Sequence, residues 1–271
     1  MQPYRMFTLK YKCKWVSILL MLGLLVLSQG LVASMGVLLR SIRSVGMGGA
    51  GVAHPDAIGA VVNNPAGLAH PVTTTEWATH SLTPDFEGGN RTVVRLGSLG
   101  YANSSVGALP YQSVIWAYGR RGSRWLDWGI RAQQWHNGGW STDFGVVAHV
   151  STHFQWGAVI SKWIQSQPVG PSTGQVGVAW VADNQEWVWV LDGESTPEHT
   201  WKISTGLEWQ LASDWWIRGG VNASAWTAGM GVLWGPVMVD YAVQKATDLP
   251  HQHVVSIRWG GAPVVTSSEL F

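Results

Sequence analysis

The sequence predicts an all-β protein, a transmembrane antiparallel β-barrel of 12–14 strands with a short N-terminal hatch. Hydrophobic residues make up 46% of the chain and charged residues only 12%, whereas soluble domains average about 25% charged. Past residue 40 no apolar run approaches the roughly 20 residues that a membrane-spanning helix needs. The apolar residues instead alternate with polar ones. Such a chain can satisfy its backbone in lipid only by closing a β-barrel.

The N-terminus has the pattern of a secretory signal. Residues 1–14 hold four basic residues and no acid, and residues 15–27 form an apolar run that is short for a bilayer. Small or aliphatic residues before Ser34 predict cleavage after Ala33. We therefore expect residues 1–33 to be a cleaved signal peptide, with an uncleaved membrane anchor as the alternative.

Charge and cysteine content exclude two classes of protein. Removing residues 1–33 takes away four of the 17 Lys and Arg and none of the 16 Asp and Glu, so the mature net charge is 13 − 16 = −3. We therefore expect no nucleic-acid binding. Cys13, the only cysteine, precedes the apolar run, so the mature chain is predicted to hold no disulfide and no lipid anchor.

The alternation is clearest in residues 198–210. Trp201, Ile203, Leu207 and Trp209 share one face, and the two tryptophans are about 20 Å apart along a membrane normal for a tilted strand. Similar segments predict thirteen strands, near 75–82, 91–101, 111–119, 124–135, 140–150, 153–163, 174–182, 186–192, 198–210, 214–223, 225–234, 236–244 and 251–259. Because bacterial barrels have even strand numbers, twelve or fourteen are the candidates.

Two motifs stand between the predicted signal and the strands, Gly-Met-Gly-Gly-Ala at 46–50 and Asn-Pro-Ala-Gly-Leu at 64–68. This stretch resembles the N-terminal segment of FadL-type outer-membrane transporters for hydrophobic molecules and of the related PorV/PorQ-like barrels. The resemblance implies fourteen strands and a hatch inside the lumen, against the alternative of a periplasmic turn. The hatch and ligand residues that it implies are Gly46, Gly48, Gly49, Asn63, Asn64, Pro65 and Ala66.

The C-terminal half extends the resemblance. Gly-Leu-Glu at 206–208, Ile-Arg-Gly-Gly at 217–220, Val-Asp-Tyr-Ala at 239–242 and the closing strand at 253–260 follow the order of the family's last strands. Residues 72–140 match only in style, and His54-Pro55 departs from the commoner family pattern.

Ionisable residues recur on the polar face of the predicted strands, and structural pairing is favoured over a permeation path. If the turn at Leu211–Asp214 pairs Gln210 with Trp216, Glu208 faces Arg218. A loop centred on Leu249 would likewise set Asp240 opposite Arg258. We expect these four to be charges of the lumen.

Catalytic and cofactor patterns are weak. Gly46–Gly51 matches G-x-G-x-x-G, but Pro55 interrupts any following helix, so a packed turn is favoured over nucleotide binding. No G-x-S-x-G motif is present. His251 and His253 have the strand spacing of two metal ligands, yet no third ligand is near in sequence. We expect no catalytic residue, no metal ligand set and no cofactor.

The predicted organisation is a signal peptide at 1–33, a hatch at 34–71, a barrel at 72–260 and a tail at 261–271. The predicted function is to bind or pass hydrophobic, fatty-acid-like molecules across the outer membrane without chemistry. The alternative is a PorV/PorQ-like docking or shuttle component for protein secretion. The partners expected are outer-membrane lipid, a hydrophobic ligand and the barrel-insertion machinery, with secretion-system proteins under the alternative.

Overall fold

The computed structural model describes residues 40–80, 89–106, 112–136, 138–166, 172–184, 186–195, 200–246 and 251–260. They form a closed barrel in which every strand is antiparallel to its two neighbours. The predicted signal peptide, the predicted tail and Cys13 lie outside these residues. The strands are β1 (Val72–His80), β2 (Gly89–Gly97), β3 (Leu99–Val106), β4 (Ser113–Arg121), β5 (Leu126–Trp135), β6 (Trp140–His149), β7 (Phe154–Gln165), β8 (Thr173–Val181), β9 (Trp187–Ser195), β10 (Trp201–Ala212), β11 (Trp215–Asn222), β12 (Ala225–Trp234), β13 (Val237–Ala246) and β14 (Gln252–Gly260).

The first and last strands close the sheet. Thr75 of β1 pairs with Trp259 of β14, and the pairing continues along both strands. Closure leaves no sheet edge, so the backbone groups of the wall find partners within it. We call the end where β1 begins and β14 ends the base, and the opposite end the rim.

The barrel has fourteen strands, which confirms the number that the family resemblance favours. The prediction of one strand over 91–101 is wrong, because β2 turns into β3 at Gly97-Ser98 and Leu96 pairs with Leu99. Gly97 has φ 62°, as the first central residue of a type II′ hairpin turn requires. β3 lacks regular apolar alternation, so it is the strand that periodicity missed.

The outer face of the wall carries the apolar residues. Trp201, Ile203 and Trp209 of β10 are 60%, 60% and 49% exposed, whereas Gly206 and Glu208 on the other face are buried. The alternation predicted for this strand is therefore confirmed. A belt of exposed Trp, Ile, Leu and Val around a closed sheet is the surface that hydrocarbon covers in a membrane.

Residues 40–71, which we call the plug, lie inside the barrel. They form α1 (Ile42–Gly46), α2 (Gly59–Val62) and a 3-10 helix (Pro65–Ala69). Ser41 caps α1 by accepting a hydrogen bond from the Ser44 amide, and the Asn64 side chain caps the 3-10 helix by accepting from the Ala66 amide. Within the part of the chain that the structure describes, no helix is long and apolar enough to cross a membrane.

Three apolar clusters join the plug to different parts of the wall. Ile58, Val61 and Leu68 pack on the wall at β2–β4, and Met47, Ala50 and Ala53 pack on β8 and β9. Ile42 and Val45 pack on β1, β13 and β14. The plug therefore contacts the wall on nearly all sides, and the lumen is closed at this level.

Glycines of the wall let the plug backbone come close. A Cβ atom added at any of seven strand glycines would lie 2.1 to 2.7 Å from a plug atom. Real Cβ atoms do not approach so closely, so a larger residue would push the plug away. These glycines are Gly100, Gly119, Gly129, Gly145, Gly157, Gly206 and Gly220.

Two neighbouring glycines of β11 provide a matched test. A Cβ at Gly220 would lie 2.3 Å from the Gly48 nitrogen, whereas a Cβ at Gly219 meets nothing within 4 Å. We expect Gly220→Val to displace the plug from a barrel that still forms, and Gly219→Val to leave both intact. Hydrogen exchange of residues 41–69 in detergent should rise at least tenfold only in Gly220→Val. Equal exchange in the two variants would contradict the observed packing.

Candidate functional site in the plugged lumen

One buried carboxylate joins the plug to the wall. Glu208 of β10 accepts hydrogen bonds from Arg43 of the plug, whose Nε lies 2.9 and 3.0 Å from its two oxygens, and from Arg218 of β11 at 2.6 Å. All three side chains are at most 8% exposed. The pairing of Glu208 with Arg218 in adjacent strands agrees with the register predicted from the Leu211–Asp214 turn. Arg43 is a partner that the sequence did not predict.

The charge series continues from Arg218 along the wall. Its Nη1 lies 2.6 Å from Asp240 of β13, Asp240 lies 4.0 Å from Arg258 of β14, and Arg258 lies 3.5 Å from Asp56 of the plug. The series therefore begins and ends on the plug. We call Arg43, Glu208, Arg218, Asp240, Arg258 and Asp56 the ionic series.

The predicted opposition of Asp240 and Arg258 is wrong. Asp240 pairs with Ser256, and Arg258 pairs with Met238, two residues away from the predicted register. The loop between β13 and β14 is long enough that its length does not fix the register. Asp240 instead forms its short contact with Arg218, which lies two strands away on β11.

Wall side chains also satisfy backbone groups of the plug. Asp192 of β9 accepts hydrogen bonds from the Gly51 and Val52 amides at 2.7 and 3.0 Å. Thr227 of β12 accepts from the Gly48 amide and donates to the Gly46 carbonyl. Because the plug has little regular structure, these wall groups replace the partners that a longer helix or sheet would supply.

The hatch residues implied by the family resemblance lie in two places. Gly46 is the last residue of α1, and Gly48 and Gly49 lie in the turn after it, with φ of 75° and 89°; this turn packs on β10–β12. The Asn-Pro-Ala motif lies across the lumen against β4–β6. The two motifs thus attach the plug to the wall on opposite sides of the lumen.

The side chains of Asn63 and Asn64 connect parts of the plug. Asn63 Nδ2 donates to Ser44 Oγ, and its oxygen accepts from the Ser41 amide. Asn64 Nδ2 donates to the carbonyls of Val52 and Val146, the latter in β6. Pro65 and Ala66 are buried and start the 3-10 helix.

Cavities lie on both sides of the plug. Two near the rim have volumes of about 260 and 250 Å³, and both are lined by Arg40, Gly49 and Glu194 together with mainly polar wall residues. A third, of about 80 Å³, lies toward the base and is lined in part by His54, Asp56 and Arg258. The plug separates the rim cavities from the base cavity.

No protein-family model matches the chain, and no curated protein matches it either. Among solved structures, the fold is similar to the Ralstonia pickettii toluene transporter TbuX at a TM-score of 0.58 and 13% identity, over 83% of this chain and 99% of that one. It is similar to the CymD monoaromatic hydrocarbon channel at a TM-score of 0.59 and 11% identity, over 84% and 99%.

A third similar structure is the Acinetobacter baumannii outer membrane protein Omp33, at a TM-score of 0.50 and 7% identity, over 71% of this chain and 99% of that one. This chain has the fold of the FadL-type hydrocarbon transporters. The likeness confirms the fold that the sequence motifs predict. The PorV/PorQ-like part of the resemblance stays a prediction.

The ionic series of this barrel can be tested with a double-mutant cycle. We expect Arg218→Met and Glu208→Gln each to lower the free energy of unfolding by about 3–5 kcal/mol, because each removes one of the partners of a buried charge. The double variant should cost clearly less than the sum. Urea unfolding in lipid vesicles is the measurement.

Arg40→Met is the control: Arg40 pairs with Glu194 where both are about one-third exposed, and its loss should cost less than about 1 kcal/mol. Additive losses at 208 and 218 would contradict direct contact.

A histidine of the plug makes its docking depend on pH. Burial, helped by the Arg43 guanidinium, lowers the pKa of His54 from 6.5 to about 4, although Gln155, Glu208 and Asp56 oppose this. Between these values a released plug binds a proton that the docked plug does not, so docking weakens as pH falls. The loss by pH 5 is about 2 kcal/mol.

We therefore expect hydrogen exchange of residues 41–69, corrected for intrinsic rates, to rise between pH 7.5 and pH 5. In His54→Gln that pH-dependent rise should be largely lost, because Gln carries no titratable proton. His253→Gln, on the outer face of β14, is the control and should keep the wild-type response. A wild-type response in His54→Gln would assign the effect to another group.

Proposed function

We propose that this chain is an outer-membrane channel for small hydrophobic molecules, fatty-acid-like chains among them, and that residues 40–71 are its hatch. The observation that carries the proposal is the filled lumen: the plug packs on wall glycines around the barrel and separates the rim cavities from the base cavity. A barrel closed in this way does not work as an open pore. Passage requires the hatch to rearrange.

The ligand class and the location rest on fold and surface. Solved structures with this fold include a toluene transporter and a monoaromatic hydrocarbon channel, and their likeness supports a hydrophobic ligand. The exposed apolar belt supports an environment of outer-membrane lipid. Export through the signal peptide, insertion by the barrel-insertion machinery and the absence of chemistry are part of the proposal.

A second candidate is a docking or shuttle component of protein secretion, as in PorV/PorQ-like barrels. Two observations favour it. Most residues that line the rim cavities are polar or charged, such as Lys202, Gln133 and Gln175, and these side chains suit a hydrophobic ligand poorly. The buried ionic series also holds the plug firmly, as expected for a barrel that serves as a fixed platform.

The channel proposal predicts the effect of deleting residues 44–69. The strands hold their own hydrogen bonds, so the variant should still fractionate with outer membranes and show heat-modifiable migration on gels. Leakage of small solutes from proteoliposomes should rise at least tenfold, and uptake of toluene or a radiolabelled fatty acid should lose its saturation. Gly219→Val is the control for a change in the wall that spares the plug. Unchanged leakage would contradict a hatch role.

Native mass spectrometry of gently purified protein separates the two candidates. A co-purified hydrophobic molecule that long-chain fatty acid or toluene displaces favours the channel. A stable protein partner with no small ligand favours docking. Recovery of the protein in the soluble periplasmic fraction would contradict both.

A further inference from the structure

Three side chains of metal-binding types, two histidines and one aspartate, converge at the base of the barrel. His70 is the residue after the plug's 3-10 helix, Asp127 lies near the start of β5, and His149 is the last residue of β6. The Nε2 atoms of both histidines lie 2.8 Å from the same oxygen, Oδ2 of Asp127. One ligand atom from each residue lies within 4.8 Å of the others. Three separate elements therefore bring their possible ligand atoms close together.

Two buried atoms of this group have no hydrogen-bond partner. Asp127 and His149 have side chains that are 2% and 8% exposed, yet Asp127 Oδ1 and His149 Nδ1 make no hydrogen bond. Buried polar atoms are normally satisfied, so each exception asks for an explanation. A structural His–Asp–His network would be expected to satisfy them. A site that also binds a ligand explains why Asp127 Oδ1 is left without a hydrogen bond.

We propose that His70, Asp127 and His149 bind a divalent transition-metal ion such as Zn²⁺. Two imidazole nitrogens and one carboxylate oxygen are a donor set that such ions prefer, with the remaining position open to water. Zn²⁺ bonds of about 2.0–2.2 Å in a tetrahedral site put ligand atoms about 3.3 Å apart. The present 2.8 Å contacts to Asp127 need to widen by about 0.5 Å, and the histidine nitrogens, which lie within 4.8 Å of each other, need to reach the same spacing by side-chain rotation.

Arg121 is the competitor for this site. Its Nε lies 3.7 Å from Asp127 Oδ1, and its Nη2 lies 3.2 Å from His70 Nδ1. Metal binding at His70 Nε2 leaves the proton on Nδ1, which then cannot accept from Arg121. The Arg121 side chain is 44% exposed, so it can turn into solvent when the ion arrives. Removing its charge should therefore strengthen metal binding.

The site is open to small ions. His70, Asp127 and His149 line the base cavity of about 80 Å³, which holds an ion with one or two waters. His70 is 21% exposed, so an ion can enter without unfolding the wall. A bound metal would join the end of the plug to β5 and β6 at the mouth that faces away from the rim.

The other histidine pair of the chain provides the control. His251 and His253, which the sequence suggests as two ligands, alternate with buried Gln252 and Val254 and so lie on the outer face of β14. Their rings are 6.4 Å apart, and His253 bonds to Tyr241. Among the described residues, the set at the base is the one place where three or more possible metal ligands lie close together.

The test is a titration of the EDTA-treated, detergent-purified full barrel with Zn²⁺ by calorimetry, and with Co²⁺ followed by its visible absorption. We expect one Zn²⁺ per chain, with Mg²⁺ and Ca²⁺ unable to displace it. Asp127→Asn and His149→Gln should weaken binding at least 100-fold, and His70→Gln, at the most exposed ligand, at least tenfold. Arg121→Gln should strengthen binding severalfold. Heat-modifiable migration verifies that each variant is folded.

The double variant His251→Gln/His253→Gln should bind as the wild type does. Three outcomes would overturn the proposal: no Zn²⁺ binding by the wild-type barrel at 100 µM, wild-type affinity in folded His70→Gln and His149→Gln, or loss of binding in the outer-face double variant. Weaker binding in Arg121→Gln would also count against it, because Arg121 would then support the site rather than compete for it. None of these outcomes depends on whether the barrel transports a hydrophobic molecule.

Discussion

Closure of the backbone hydrogen bonds in lipid is the constraint on which the rest of this structure depends. A sheet that faces hydrocarbon has no water to satisfy an edge, so β1 must pair with β14. Closing fourteen strands produces a lumen. Barrels of about eight strands fill their interior with wall side chains, and those of 16–18 strands leave an aqueous channel. A fourteen-stranded barrel lies between these limits, and here a separate segment of chain fills the interior.

Filling the lumen with a segment of chain has two consequences: its peptide groups need hydrogen-bond partners, and its charges need to be paired. The plug has only short helices, so many of its peptide groups need partners from the wall, and Asp192, Thr227 and Arg95 supply them. Short hydrogen bonds require close approach, and wall glycines permit it. Charges brought inside must also be paired. The ionic series does this by starting on the plug at Arg43 and returning to it at Asp56, so each of these plug charges is paired with a charge of the wall.

The sequence could predict what depends on local pattern. Alternation predicts most strands because one face meets lipid and the other meets the lumen, and it fails at β3, where Ala102–Val106 lacks a regular apolar face. The pairing of Glu208 with Arg218 is predicted from the position of the turn, and in the structure a bulge between Gln210 and Ala212 sets this register. The same reasoning fails across the longer loop before β14. Contacts such as Arg43 with Glu208, or His70 with Asp127, join residues 57 to 165 positions apart, and nothing in local pattern indicates them.

The kinds of contact that hold the plug differ around the barrel. In the proposed channel, these contacts limit where a solute can pass. Toward β10–β14 the contacts include buried ion pairs, and parting Arg43 from Glu208 leaves charges stranded at a cost of several kcal/mol. Toward β8 and β9, Met47, Ala50 and Ala53 pack on Ala179, Val181 and Val190, and Asp192 of β9 accepts hydrogen bonds from the Gly51 and Val52 amides. An apolar solute that enters there replaces one apolar neighbour with another, so the hydrophobic free energy lost by separating plug and wall is largely recovered. A polar solute recovers none of it. In the proposed channel, the apolar contacts toward β8 and β9 therefore favour a hydrophobic solute over a polar one.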